Sequence, residues 1–484
     1  MACPAALLLL AYALINGVPF FYPDAFVYAH YGESGWRMIG RAIAELWPAG
    51  QSALDIQTAD LASSGRVSGT LAGSVQKEGW TPEAGRSVYY GLLLAIPGIF
   101  PSPWNGVILQ AYCSALTVAF AWRLVMGTIG AGYLAAMAGL GLFSTFGIFA
   151  STAMPDVWSA IAILAVAVLI AGNGRLRRLD ALFLWGFILF ATLAHSSHLA
   201  VVAALTALCI AGRIVGLGVI PWATIGKLAV LIVATVSLGT GARMAMERAA
   251  GNPTLGIPFL TAHLVDGGPG MAFIREACPA AGYAVCEKAD DLPVEWRTFI
   301  FGFSRPSEYR RQLAEEDLSF AIATLRHDPA GVLQLALQDG LRQIGMIDLA
   351  TTPIRSSISE SAAAEKSEVS LARKIREGRL YNASWLYRDV SLINAALVLA
   401  GLAAIILAAT RPVPGRESAG LRQLLSVTLT GVLLNAVICG VLASPYDRFQ
   451  ARVAWLIPVI AVIAIAAFLQ NRRLHLRERE TTYS

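Results

Sequence analysis

Six ionisable side chains stand where the apolar runs of this sequence end. Asp24 follows the first run, within NGVPFFYPDAFVYAHYGESGW (Asn16–Trp36), in a rim made by Phe20, Phe21, Tyr22 and Phe26. Asp156 sits in STAMPDVW, between two later runs, and His195 and His198 sit in LAHSSHLA, between two more. Arg448 and Arg452 open the last run, in SPYDRFQARVAW, beside Asp447. Ionisable groups at membrane depth are costly and are functional candidates by default. A carboxylate within hydrogen-bond reach of a hydroxyl can act as a general base. It can equally cap a helix, and Asp24 after Pro23 and Asp156 after Pro155 both have capping chemistry. Two histidines three apart share a helical face and could hold a metal, bind a phosphate or sugar hydroxyl, or supply only helix-end polarity; no third metal ligand is evident. Arginines four apart also share a face. Two guanidinium forks there suit a phosphate or diphosphate, or they snorkel to the headgroups.

The elements that must position these groups are membrane spans. The chain has 484 residues, 56% hydrophobic and only 14% charged, with a net charge of +5 and a mean hydropathy of +0.59. Soluble domains carry about 25% charged residues, so the expected fold class is an all-α polytopic membrane protein. With about 20 apolar residues needed per crossing, ten spans are expected, near 4–21, 105–125, 131–151, 157–171, 179–194, 199–215, 224–242, 390–410, 421–442 and 451–469. The segment YYGLLLAIPGIF (Tyr89–Phe100) is too short to cross and is broken by Pro97, so it reads as re-entrant or interface-lying. The first run lacks a basic leading region, so it is expected to be a retained span rather than a cleaved signal.

Lys and Arg in short loops set orientation. The basic connections are GNGRLRRLD (Gly172–Asp180), Arg213 to Lys227, TRPVPGRESAGLR (Thr410–Arg422) and NRRLHLRERE (Asn471–Glu480). Ten alternating spans put all four on the cytoplasmic side, with both termini inside. The expected organisation is a seven-span module (1–245) with a large first outer loop (22–87), an outer, mainly helical domain (246–389), and a three-span module (390–484) with a basic tail. In the outer domain, Leu313, Phe320, Ala321 and Leu325, then Val332, Leu333, Leu337 and Leu341, recur with helical period. Asp328-Pro329 marks the break between two helices, and Ser356–Ser370 reads as a polar linker. Cys278 and Cys286, eight residues apart in a polar segment, are a possible disulfide and would place that segment in an oxidising compartment. The other four cysteines lie in or beside apolar runs as small hydrophobes.

On this topology the six ionisable residues share the outer face. The stretches YPDAFVYA with Asp24, SGWRMIGRAIAELW (Ser34–Trp47), Tyr89–Phe100 and MPD with Asp156 resemble the GT-C class of integral-membrane glycosyltransferases. That resemblance covers the first half of the chain and the span layout. It implies an outer-face enzyme that moves a sugar from a polyprenyl-phosphate donor to a lipid or glycan acceptor. Asp24 would then be the catalytic base, Asp156 a second acid near the donor or a metal, and Tyr28 part of the pocket. Arg448 and Arg452 would hold the lipid phosphate, with His195 and His198 lining the site. A divalent cation stays open as a cofactor. Several members carry paired acids, whereas Ala25 follows Asp24 and Val157 follows Asp156; Glu33 is the nearest alternative acid. The ending YDRFQARVAWLIP is similar to that of bacterial membrane proteins, which implies an inner-membrane location.

A lipid flippase or transporter, and a non-catalytic envelope assembly protein, are the rival classes. A coupled transporter would place charges at mid-membrane and show repeated halves, and the span interiors here are nearly free of Asp, Glu, Lys and Arg. Neither a Ser-His-Asp arrangement, a nucleotide-binding loop nor a nucleic-acid-binding feature is evident.

Overall fold

The computed structural model describes residues 1–22, 24–46, 81–96, 103–216, 220–304, 307–349, 378–380, 383–410 and 417–483. The middle of the first outer loop with Trp47, the 97–100 end of the short apolar segment and the Ser356–Ser370 linker lie outside them. Among the described residues, regular structure is helical apart from two isolated parallel bridges, Phe20 with Thr152 and Glu83 with Leu255.

The chain begins with α1 (Ala2–Leu9), α2 (Ala11–Asn16), α3 (Asp24–Leu46), α4 (Val88–Leu94) and α5 (Trp104–Met126). There follow α6 (Ala131–Phe143), α7 (Thr145–Ala150), α8 (Asp156–Ala171), α9 (Arg178–Ala194), α10 (Ser196–Ile214) and α11 (Trp222–Ala250). The segment expected to lie on the outer side (the outer segment) holds α12 (Phe259–Gly267), α13 (Pro269–Ala277), α14 (Ser307–His327) and α15 (Pro329–Gly345). The chain closes with α16 (Ser384–Thr410), α17 (Glu417–Ala443), α18 (Asp447–Ala454) and α19 (Leu456–Tyr483).

Among the described residues, six helical stretches are long and apolar enough to cross a membrane: α5, α10, α11, most of α16, most of α17, and Asp447–Arg473 across α18 and α19. The protein is therefore a multi-pass membrane protein of all-α class. The shorter apolar helices α6 and α8 accompany them. All sixteen residues of α8 are buried. Its sequence explains this: beyond Asp156 it has no charge, and a helix apolar on every side belongs inside a bundle.

Two apolar runs expected to be continuous are broken. The first divides at Leu10 and stops at Gly17, whose φ of 85° gives the left-handed turn. The third divides at Ser144, whose hydroxyl accepts from the Phe146 N–H and donates to the Leu140 carbonyl. The two broken runs satisfy each other. The Tyr12 hydroxyl donates to the Leu142 carbonyl, and the Ser151 hydroxyl donates to the Leu9 carbonyl. Carbonyls freed by a break inside an apolar environment must find such donors.

The outer segment has its own core, with Ala262, Val265, Met271, Ile274, Phe299 and Phe320 at its centre. Cys278 and Cys286 are joined, with Cα atoms 5.4 Å apart. Asp328 caps α15, its carboxylate accepting from the Gly331 N–H at 2.8 Å with Pro329 in the first turn. Leu313 and Phe320 are buried, whereas Leu325, Leu333, Leu337 and Leu341 are exposed. Their periodicity reports an apolar face, but that face does not enter the domain's core.

Helices α3 and α4 cross at a pair of glycines. A Cβ on Gly32 would lie 2.0 Å from the Gly91 carbonyl oxygen, and one on Gly91 would lie 2.3 Å from that of Tyr28. Gly32→Ala is expected to destabilise the protein by about 1–3 kcal/mol through overpacking. Gly40→Ala, with nothing within 4 Å, is expected to stabilise α3 by up to about 1 kcal/mol. Thermal unfolding of the two variants in detergent distinguishes them, and equal shifts would show that the crossing yields freely.

Candidate functional site

Two backbone features bring distant parts of the chain together. After Gly17 the strand-like residue Phe20 donates its N–H to the Ser151 carbonyl at 2.9 Å and accepts from the Ala153 N–H at 2.8 Å. This clasp places the segment leading to Asp24 beside the loop leading to Asp156. The second feature is the corner before α18, where Ser444 adopts a φ of 81°, a conformation rare outside glycine. The buried Gln343 side chain of α15 holds that corner by both ends of its amide. Its Nε2 donates to the Tyr446 carbonyl at 2.9 Å, and its Oε1 accepts from the Tyr446 N–H at 2.7 Å.

Between these features runs an unbroken chain of polar side chains. Arg86 Nη2 donates to Asp24 Oδ1 at 2.8 Å, and Asp24 Oδ2 faces Arg448 at 3.9 Å. Arg448 and Arg452 reach the same oxygen of Asp156, at 3.4 and 3.6 Å. Arg452 also donates to Asn435 Oδ1 and to the Ser197 hydroxyl, both at 3.0 Å. The Ser197 hydroxyl in turn lies 2.8 Å from His195 Nδ1. Arg448 stacks over the Tyr22 ring at 3.9 Å, an arrangement that favours a cation on a π face, and the Tyr22 hydroxyl lies 3.4 Å from that of Tyr446.

Asp24, Asp156, His195, Arg448 and Arg452 are thus brought into one cluster. His198, at 1% exposure, packs its ring 5.2 Å from that of His195 and places Nδ1 2.9 Å from the Ala191 carbonyl. That contact makes Nδ1 the donor, and Nε2 is left buried with no hydrogen-bond partner. His195 caps α10 by accepting from the Ser197 N–H, so helix-end polarity is one of its roles. Burial first, then the neighbouring His198 and Arg452, hold His195 well below the usual histidine range, and the ring is neutral. Tyr28 is buried edge-to-face against Tyr90, with centroids 5.1 Å apart. Asp156 makes no side-chain cap; its carboxylate serves the arginines instead.

Sequence reasoning missed Arg86, Ser197, Asn435 and Gln343. Arg86 is reachable by the rule that singles out the others, since it immediately precedes the short apolar segment of α4. Its neighbour Ser87 caps α4, accepting from the Tyr89 N–H at 3.1 Å. Burial alone would lower the affinity of Arg86 for its proton, but the Asp24 charge outweighs this and the guanidinium stays charged.

Both ends of the polar chain meet a cavity of about 390 Å³ between the α4 start, the α9–α10 junction and α11. Arg86 and His195 line it, with Tyr89, Thr192, Thr240 and Arg243. Glu83, also on its wall, faces Arg310 at 3.8 Å. The polar chain has three guanidiniums against two carboxylates, a surplus of one positive charge. Such a surplus beside a cavity suits an anion. Among the described residues no group of three or more His, Cys, Asp or Glu side chains is placed to hold a metal ion.

Two further groups bear on the chemistry. Glu33, the alternative acid, has a buried Oε2 without a hydrogen-bond partner; burial raises its pKa to about 7, against the opposing charge of Arg37. A Ser-His-Asp grouping is present as well: His263 lies 2.7 Å from the Ser444 hydroxyl and 3.7 Å from Asp339. Ser444 is only 2% exposed, so the grouping pins the outer segment to the Ser444 corner rather than presenting a nucleophile. Burial lowers the His263 pKa to about 4, so the pin is neutral. No protein-family model, curated protein or solved structure matches this chain.

Removing one partner of a buried ion pair costs about 3–5 kcal/mol, because the remaining charge is stranded. Asp156→Asn strands two guanidiniums and is expected to lose that much stability, whereas Asp24→Asn, at a side chain 22% exposed, should lose less; thermal unfolding orders them. Glu33 gives a pH dependence. Its folded pKa of about 7 exceeds the reference value of 4.5, so its stabilising contribution is complete below 4.5 and is lost as pH rises through about 7. Unfolding of wild type and Glu33→Gln should therefore coincide near pH 4 and separate at pH 8, with the variant more stable. A difference independent of pH would show that the Glu33 charge is accommodated.

Proposed function

We propose that the protein is a glycosyltransferase of GT-C type, moving a sugar from a polyprenyl-phosphate donor to a lipid or glycan acceptor. It would act on the outer face of a bacterial inner membrane, through ten spans with both termini cytoplasmic. The observation that carries this reading is the polar chain from Arg86 to His195, with its surplus positive charge, closing on a cavity of about 390 Å³.

In this reading Asp24 is the base. Of the two acids it is the more accessible, 22% exposed against 3% for Asp156. Asp24 takes the proton of the acceptor hydroxyl as that oxygen forms its bond to the anomeric carbon. The bond from that carbon to the phosphate oxygen breaks, and the lipid phosphate departs with the electron pair. Arg86, on the cavity wall, faces the growing negative charge, with Arg448 behind it across Asp24, and fixed cationic donors aimed at such charge lower the barrier. Asp156 keeps Arg448 and Arg452 in place without competing for the acceptor. His195, neutral, supplies a hydrogen bond to the sugar or phosphate.

Membranes from cells expressing wild type, Asp24→Asn and Arg448→Ala test the proposal, assayed for radiolabelled sugar passing from polyprenyl-phosphate lipids to endogenous acceptors. Asp24→Asn should lower transfer by about 10²-fold or more, the usual contribution of a general base, at unchanged protein level. Arg448→Ala should lower it too. Wild-type membranes with no transfer from any of several donor lipids would overturn the assignment and favour a lipid flippase or an assembly protein.

A further inference from the structure

The hairpin of α14 and α15 carries an apolar surface that the outer segment's core does not use. On α15, Leu333, Leu337 and Leu341 are 61–66% exposed and Ile344 is 37% exposed. With a rise of 1.5 Å per residue they form a stripe about 16 Å long. On α14, Leu318, Ile322 and Leu325 are 41–64% exposed. The charges of α14 are concentrated in its first half, from Glu308 to Asp317, while SFAIATL (319–325) has none. Only Asp339 and Arg342 are charged on α15, and Asp339 turns inward to His263 at 3.7 Å. The charge-poor part of the hairpin is therefore the part with bare leucines.

The position of this hairpin names what covers it. Helix α15 lies against α17, one of the helices apolar and long enough to cross the membrane. Gly440 lets the Asp339 carbonyl approach so closely that a Cβ would sit 2.6 Å from it, and Gly340 faces Val437 and Val441. At the same level α17 exposes Val437 and Leu442, at 44% and 48%, with Leu433 one turn deeper at 49%. The bare stripe of α15 thus continues the bare surface of a span. Exposed apolar patches of this size are uncommon on water-facing surfaces, and a helix with one leucine face and one glutamine face (Gln334, Gln338) has the form that lies in a bilayer interface.

We propose that α15, with the 318–325 part of α14, is immersed in the leaflet surrounding the Ala443 end of α17, its leucine stripe covered by acyl chains, and that Arg326 marks the end of the immersed part. The outer segment is then seated in the membrane rather than held above it. Through Gln343, which grips Tyr446, that seating sets the level of the Ser444 corner relative to the headgroups. None of this depends on the glycosyltransferase reading.

Nitroxide labels test it, in full-length protein reconstituted in phospholipid nanodiscs, with Cys3→Ser and Cys209→Ala in the background and no reductant, so that the disulfide stays closed. Labels are attached at Leu337→Cys, Leu341→Cys, Gln338→Cys and Arg326→Cys, and collision rates with oxygen and with a water-soluble nickel chelate are compared. Oxygen should dominate at 337 and 341, and the nickel chelate at 326, with 338 between. Nickel access at 337 and 341 equal to that at 326 would overturn the proposal. So would low access to both reagents with spin–spin broadening, which would identify a second copy of the chain as the cover.

Discussion

Two arginines buried within a bundle that excludes water require an acid, and Asp156 is that acid. Arg448, Asp156 and Arg452 are 8%, 2% and 2% exposed. A buried charge needs an opposite charge close by, so the turn before α8 and the corner before α18 must meet within a few ångströms, and they do so through ion pairs at 3.4 and 3.6 Å rather than hydrogen bonds to Asp156 Oδ1. Much of the fold near the site satisfies this requirement. Asn435 accepts from Arg452 while donating to the Phe449 carbonyl at 2.6 Å and to Gln450 at 3.0 Å, so one amide secures both the arginine and the helix that delivers it. The all-buried α8 supplies the rigid post on which Asp156 stands.

The remaining positioning is done by backbone and amide contacts that carry no charge. The Phe20 clasp sets the Asp24 segment against the Asp156 loop, and Gln343 and His263 hold the strained Ser444 corner from the outer segment. Contacts of this kind are directional and insensitive to ionic strength. They hold the guanidiniums in place without adding charge to the cluster. The outer segment therefore contributes to the site through the geometry of α18, although its own core is separate.

Particular residues show how far sequence reasoning reaches. Asp24, Asp156, His195, Arg448 and Arg452 all stand at the ends of apolar runs, and the structure brings them into one cluster. The Asp328-Pro329 helix start was visible because its chemistry is local: a carboxylate three residues before an N–H, and a ring that fixes φ. The Arg86–Asp24 pairing is not readable from sequence, because the two partners lie 62 positions apart. The breaks at Leu10 and Ser144 were not visible either, since hydropathy is averaged over a window while a break is decided by whether another segment offers hydrogen-bond donors.

By itself the sequence determined the all-α membrane class, the apolar runs and the Asp328-Pro329 break, because each follows from composition or from contacts a few residues long. Tertiary structure decided which of those residues share charge, which broken helices complete one another, and which face of the Leu333–Leu341 stripe is bare. Periodicity shows that a helix has an apolar side; only the packing of α15 on α17 decides whether that side meets protein or lipid. Coulombic pairing and hydrogen bonding act over ångströms in space, and separations of 62 and 255 residues leave no trace in local pattern.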